Sequence, residues 1–156
     1  MADYQATIRW QRQAGEAFSD NRYSRAHEWA FDGGVVVPAS ASPHIVPLPH
    51  SVAENVDPEE AFVAALSSCH MLVFLGIAAK RRYVVDSYTD QAVGTMAKNE
   101  HGKLAITRVV LRPDARFSSE RQPSRAQIEK MHHQAHSECF IANSVHTEVV
   151  TELTAF

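Results

Sequence analysis

Near its start the chain alternates strictly. Tyr4, Ala6, Ile8 and Trp10 interleave with Gln5, Thr7, Arg9 and Gln11, the period-two pattern of a strand buried on one face. Tyr23, Arg25, His27, Trp29 and Phe31 share one face of a second predicted strand, and Asp32-Gly33-Gly34 turns it into a third over Val35-Val36-Val37. From Pro38 to Pro49 the chain holds four of its seven prolines. Such a segment lacks the backbone donors of a central strand and is expected to form a surface connection.

At Asp57 the period changes. Asp57 is a candidate N-cap, Pro58 suits the first helical position, and Glu59 and Glu60 complement the positive helix end. Phe62, Ala65, Leu66, Cys69, Leu72, Val73 and Gly76 then recur at helical spacing, with Val63, His70, Phe74 and Ile77 over much of the remaining surface. The spacing predicts a helix from Asp57 to Arg82. A helix apolar on nearly every side is buried on nearly every side. In a chain this small, that calls for a sheet against one face and a second subunit against another.

Tyr83 to Ala97 and Lys103 to Phe117 read as two strands joined at Asn99-Glu100-His101-Gly102, with a break in alternation near Thr107-Arg108 that fits a bulge or a twisted edge. Ser124-Arg125-Ala126-Gln127 has the form of a capping box, opening a helix to Ser137 with an apolar stripe of Ile128, Met131 and Ala135. A last strand follows, with Val145, Thr147, Val149, Thr151 and Leu153 on one face. Blocks of strands around two helices define an α+β class rather than a repeated βαβ array.

Composition narrows the picture. With 156 residues, 45% of them hydrophobic, the chain is expected to form one domain, residues 1–156, with a real core. A net charge of −3 gives no basic footprint, so no nucleic-acid partner is expected. Lys80-Arg81-Arg82 is the one basic cluster and suits a helix C-terminus. Ala61 to Ala79 carries no charged side chain and is long enough to span a membrane. Its alanines together with Ser67, Ser68 and His70 favour a buried helix instead, so no membrane partner is expected. The start, Met1-Ala2-Asp3-Tyr4-Gln5, has no signal-peptide pattern, and a cytoplasmic location is expected. In that compartment a pair of cysteines is more often catalytic or sensory than structural.

The only cysteines are Cys69, within the first helix, and Cys139, just after the second, and each lies near a histidine. A thiol attacks as thiolate, which needs a nearby cation or a helix N-terminus. Cys69 lies about three turns into its helix, beyond the reach of the dipole. A reactive Cys69 would therefore need a cation from elsewhere, and arginine stays charged when desolvated. His132, His136 and Cys139 could face one direction and hold zinc, but the glutamate of an HExxH motif is absent and a histidine-rich helix surface is the simpler reading. No cofactor and no metal are expected.

The run Asp57-Pro58-Glu59-Glu60-Ala61-Phe62-Val63-Ala64-Ala65-Leu66-Ser67-Ser68-Cys69-His70 resembles the central-helix motif of the OsmC/Ohr family of thiol peroxidases. Ala135-His136-Ser137-Glu138-Cys139 is similar to that family's second-cysteine segment, and the order of elements matches over essentially the whole chain. The resemblance implies an OsmC-like fold: N-terminal antiparallel strands, a long buried central helix, a hairpin, a second helix and a C-terminal strand, in an intertwined homodimer. It implies reduction of an organic hydroperoxide, with Cys69 the peroxidatic thiol and Cys139 the resolving one. A disulfide would form through a Cys69 sulfenic acid and be recycled by an external dithiol. Glu59 would be the carboxylate that orients an arginine.

The chain departs from the family pattern in two places. Phe140 stands where a proline commonly follows the second cysteine, and Pro38 to Val56 contains no arginine. The N-terminal hairpin offers Arg22 and Arg25 instead, with Arg25 preferred for its place on the strand face. Cys69 and Cys139 are expected to lie within bonding distance, Cys69 the less exposed. Glu59 and Cys69 are ten residues apart on one helix, a rise of about 15 Å, so a site containing both would have to be shared between two subunits. The alternatives are a non-catalytic ligand-binding or oxidant-sensing protein of the same fold, and a small zinc protein.

Overall fold

The computed structural model describes residues 1–118 and 120–153. The chain divides into two compact units, Met1–Ala61 and Phe62–Phe156, with one helix running through the boundary.

In the first unit, β1 (Ala6–Arg9), β2 (His27–Phe31) and β3 (Val36–Ala39) form an antiparallel sheet in sequence order. The predicted turn between β2 and β3 is present. Gly34 takes φ 88°, a left-handed value that glycine adopts without strain, and the Phe31 N–H donates to the Val35 carbonyl at 2.9 Å. β1 is exposed at all four residues, so the alternation from Tyr4 to Trp10 is not matched by one-sided burial within a single chain. Between β1 and β2, Phe18 stacks on Tyr23 with centroids 4.4 Å apart, and Trp10 meets the pair edge-on to Tyr23 (5.5 Å) and tilted to Phe18 (5.8 Å). The proline-rich connection is tied back by Ser40 N–H to Val56 O (3.0 Å) and Val56 N–H to Pro38 O (3.1 Å).

α1 (Pro58–Lys80) opens as the sequence predicts. Asp57 Oδ1 accepts the Glu60 N–H at 2.8 Å, and Glu60 Oε2 accepts the Asp57 N–H at 3.3 Å, a reciprocal cap that satisfies two backbone donors. The helix closes through Arg82 in a left-handed conformation (φ 61°), with the Tyr83 N–H donating to Ala78 O at 3.0 Å. Within one chain its burial is one-sided. Leu66, His70, Phe74, Ile77 and Ala78 are buried, whereas Ala65, Ser68, Leu72, Gly76 and Ala79 form an exposed stripe. By length and composition α1 would be able to cross a membrane.

The second unit carries two more sheets. β4 (Val85–Asp90) pairs antiparallel with β7 (Pro113–Phe117), and β5 (Val93–Lys98) with β6 (Leu104–Leu111). These are the inner and outer halves of the predicted hairpin. Asp90 pairs with Pro113 and Val93 with Val110, so the register is continuous across the interruption. At that kink Asp90 Oδ1 accepts the Arg112 N–H at 2.6 Å, and Oδ2 accepts the Ser67 hydroxyl at 2.5 Å, fastening the bend to α1. Of the two alternatives, a bulge or a twisted edge, the break is a bulge, with the register shifting between Thr95 and Met96 opposite Thr107. β5 runs so close to α1 that a Cβ on Gly94 would stand 2.6 Å from Val63 Cγ2.

α2 (Arg125–Glu138) has the predicted capping box: Gln127 N–H to Ser124 Oγ at 3.2 Å, and Ser124 N–H to Gln127 Oε1 at 2.7 Å. Its stripe of Ile128, Met131 and Ala135 packs with Phe74, Ile77, Ala78 and Tyr83, while Leu66 joins Val109 and Leu111 in a second buried cluster. The last strand is shorter than the alternation predicted: β8 is Glu148–Thr151, parallel to β6, and it follows a 3-10 turn at Ala142–Ser144.

Candidate active site

Two helices bring the cysteines together. Cys69 lies at the start of the fourth turn of α1, and Cys139 is the residue that ends α2. Both are free thiols in hydrogen-bonding contact. Cys139 is held from behind by the turn that follows it. Its Sγ accepts the Ala142 N–H at 3.4 Å, and its carbonyl accepts from the Asn143 N–H (3.0 Å) and side-chain amide (2.9 Å). The expected order of exposure is reversed: Cys139 is buried at 1% and Cys69 is half-buried. Cys69 sits beside the uncovered stripe of α1, whereas Cys139 is wrapped by its own turn. Burial, then the hydrogen bond with Cys69, push the Cys139 thiol above its ordinary range. Cys139 thus keeps its proton and can donate it toward Cys69.

Next to the thiols is a second pair that the sequence did not reveal. His70 Nε2 and His132 Nδ1 are 2.9 Å apart, with the rings nearly parallel at 8°. His132 also stacks on Phe74 at 4.1 Å between centroids. Burial, reinforced by His136, lowers His70 to about 4, and burial with His70 as neighbour lowers His132 to about 3. Both rings are therefore neutral at pH 7. Nδ1 of His70 and Nδ1 of His136 are buried without a hydrogen-bond partner, as is the Tyr88 hydroxyl. A signal did exist in the sequence: His70 interrupts an otherwise uncharged run, and His132 and His136 lie beside the apolar stripe of α2.

His132, His136 and Cys139 do not form a metal-binding group. Among the described residues no group of three or more His, Cys, Asp or Glu side chains has metal-binding geometry.

The charged residues expected at the site are placed separately. Glu59 Oε2 is buried with no hydrogen-bond partner. The Arg25 guanidinium folds onto its own turn, donating to Asn21 O (3.1 Å), Asn21 Oδ1 (2.8 Å) and Tyr23 O, and lies 3.7 Å over the Tyr23 ring. Arg22 is exposed, its backbone N–H on Asp20 Oδ1 at 3.0 Å. Within one chain neither arginine hydrogen-bonds Glu59 Oε2.

A long helix carrying one thiol, a short helix ending in a second, and a kinked hairpin against them define a small α+β protein with a two-cysteine centre. The family model for OsmC-like protein matches residues 51–154, and the chain belongs to that family. It is similar to an OsmC-like protein of unknown function from Vibrio cholerae, at 64% identity and a TM-score of 0.97 over 99% of this chain and 100% of that one. An organic hydroperoxide resistance protein from Elizabethkingia anophelis matches at 15% identity and a TM-score of 0.69, over 99% of this chain and 95% of that one. The organic hydroperoxide resistance protein OhrB of Bacillus subtilis matches at 18% identity and a TM-score of 0.63, over 97% and 98%. At such identities the last two show the shared fold alone. None of the curated proteins compared with the chain matches it.

Proposed function

We propose that the protein is a cytoplasmic thiol peroxidase that reduces organic hydroperoxides. The carrying observation is the contact between two free thiols of unequal burial, one of them held protonated. Cys69 attacks the outer peroxide oxygen, the O–O electron pair leaves with the alkoxide, and the sulfur becomes a sulfenic acid. Cys139 then condenses with it, water departs, and an external dithiol reduces the disulfide. Hydroperoxide resistance in the names of its structural neighbours supports the substrate class.

The site is completed by a second copy of the chain. The exposed stripe of α1 supports a homodimer, and the orphaned Glu59 Oε2 supports a cation supplied across it. In this arrangement the partner's Glu59 orients Arg25, or Arg22 in its place, toward Cys69.

Consumption of cumene hydroperoxide with excess dithiol is the test. Wild-type protein turns over, Cys69→Ser is inactive, and Cys139→Ser reacts once and accumulates a sulfenic acid that dimedone traps. Equal peroxide consumption by wild type and Cys69→Ser would refute the reading.

A further inference from the structure

The two sulfurs differ in how a third one can reach them. Cys139 is 1% exposed and closes α2 in an extended conformation (φ −68°, ψ 116°), after which the chain folds back over it. The turn is tied at each step. Its Ala142 N–H donates to Cys139 Sγ at 3.4 Å, and the Ile141 N–H acts on the same sulfur. Asn143 staples the turn to the helix end. Its side-chain amide donates to Ser137 O (3.0 Å) and Cys139 O (2.9 Å), and its backbone N–H donates to Cys139 O (3.0 Å). The Ser144 hydroxyl adds a bond to Phe140 O at 2.7 Å, and its N–H one to Ile141 O at 3.0 Å. Cys69 stands at an edge instead. Residues three and four apart are neighbours on a helix surface. On one flank of Cys69 Leu66 is buried; on the other Ala65 and Leu72 are exposed, Leu72 at 62%. The approach to Cys69 along α1 is open, whereas the turn closes the approach to Cys139.

We propose that the external dithiol attacks the disulfide at the Cys69 sulfur, with Cys139 as the leaving sulfur, and that Asn143 enforces this choice by holding the turn shut. The proposal rests on the peroxidase reading for the Cys69–Cys139 disulfide and for a dithiol as reductant. One thiolate of the dithiol bonds to Cys69 Sγ, the S–S bond breaks, and its electron pair leaves with Cys139 as a thiolate. The Ala142 and Ile141 N–H groups, already acting on that sulfur, meet the new charge. Burial still favours the protonated form, so Cys139 takes up a proton, matched by the one that the dithiol's second sulfur loses. That second sulfur attacks the first, and Cys69 is released as a thiolate. The protein disulfide has gained two electrons, and the dithiol has become a cyclic disulfide. Oxidant and reductant therefore enter by the same side and meet the same sulfur. Asn143 is a positioning residue, acting on Cys139 through the turn it fastens.

The test uses no peroxide. The disulfide is formed with diamide, verified as a linked peptide, and opened with 2-mercaptoethanol, a monothiol that cannot complete the second step. Acid stops the reaction, and freed cysteines are alkylated with N-ethylmaleimide in denaturant before peptide mass spectrometry. Mercaptoethanol on Cys69 with maleimide on Cys139 is expected to exceed the reverse pairing by about tenfold. Asn143→Ala removes the staple and should raise the share of mercaptoethanol on Cys139 severalfold. Phe74→Leu loosens the buried cluster between α1 and α2 and keeps the turn; it should lower the melting temperature and leave that share in place. Mercaptoethanol found mainly on Cys139 overturns the proposal. A wild-type share in Asn143→Ala, or an equal rise in Phe74→Leu, overturns the part given to Asn143. If Asn143→Ala does not fold, Asn143→Asp takes its place, losing the amide donors and keeping the shape. No linked peptide after diamide would overturn the proposal together with the disulfide of the peroxidase reading. Failure of peroxide turnover with the expected pairing intact would strike the peroxidase reading alone.

Discussion

Protonating His70 or His132 places a charge where burial opposes it, so the pair sets a lower pH bound on stability. Both are depressed in the folded state, to about 4 and about 3, from about 6.5 unfolded. The unfolded chain binds these protons first. Their contribution is therefore fully present above about pH 6.5 and is lost as pH falls through the folded values. Unfolding free energies from urea titrations between pH 7 and pH 4 should fall, by on the order of 3 kcal/mol for a group displaced this far. His132→Phe should flatten that dependence; an unaltered slope in the variant would contradict the assignment. What the sequence offered at this scale was the identity of the thiols. It did not offer their order of burial, because the Cys139 wrapping comes from Ala142 and Asn143, turn residues with no periodic signature. Nor did it reveal the His70–His132 bond, which joins positions 62 residues apart.

Helix ends and turns were the most legible elements, since their signals are local. Asp57 and Ser124 both close capping boxes within three residues, and Thr107 marks the bulge. The kink between the hairpin halves was not legible, because it depends on Asp90 reaching Arg112 across 22 positions. Asp90→Ala would leave the Arg112 N–H and the Ser67 hydroxyl without their acceptor, and is expected to cost about 1–3 kcal/mol. Chemical denaturation checks this, and a loss below measurement error would contradict the fastening role. Arg82 offers the opposite sign. Its φ of 61° is one that glycine reaches freely, so Arg82→Gly should stabilise by up to about 1 kcal/mol, read as a raised melting temperature.

Across the whole molecule, the pattern that predicted a helix buried on nearly every side corresponds to a helix buried on one side within a single chain. Ala65, Ser68, Leu72, Gly76 and Ala79 remain uncovered. The all-round apolar pattern carried information about a partner, which one chain cannot supply. A site shared across that partner has a specific consequence. A verified heterodimer of Glu59→Ala and Cys69→Ser chains contains one intact site, so mixing two inactive proteins should recover peroxide turnover. No recovery would contradict the shared site and leave the thiol chemistry standing. That chemistry is the central claim, and peptide mass spectrometry tests it most directly. Reduced protein treated with one equivalent of tert-butyl hydroperoxide should lose both free thiols and yield a peptide linked through Cys69 and Cys139, while Cys139→Ser should carry the added oxygen on Cys69. Two free thiols surviving the peroxide, or a first oxygen found on Cys139, would contradict it.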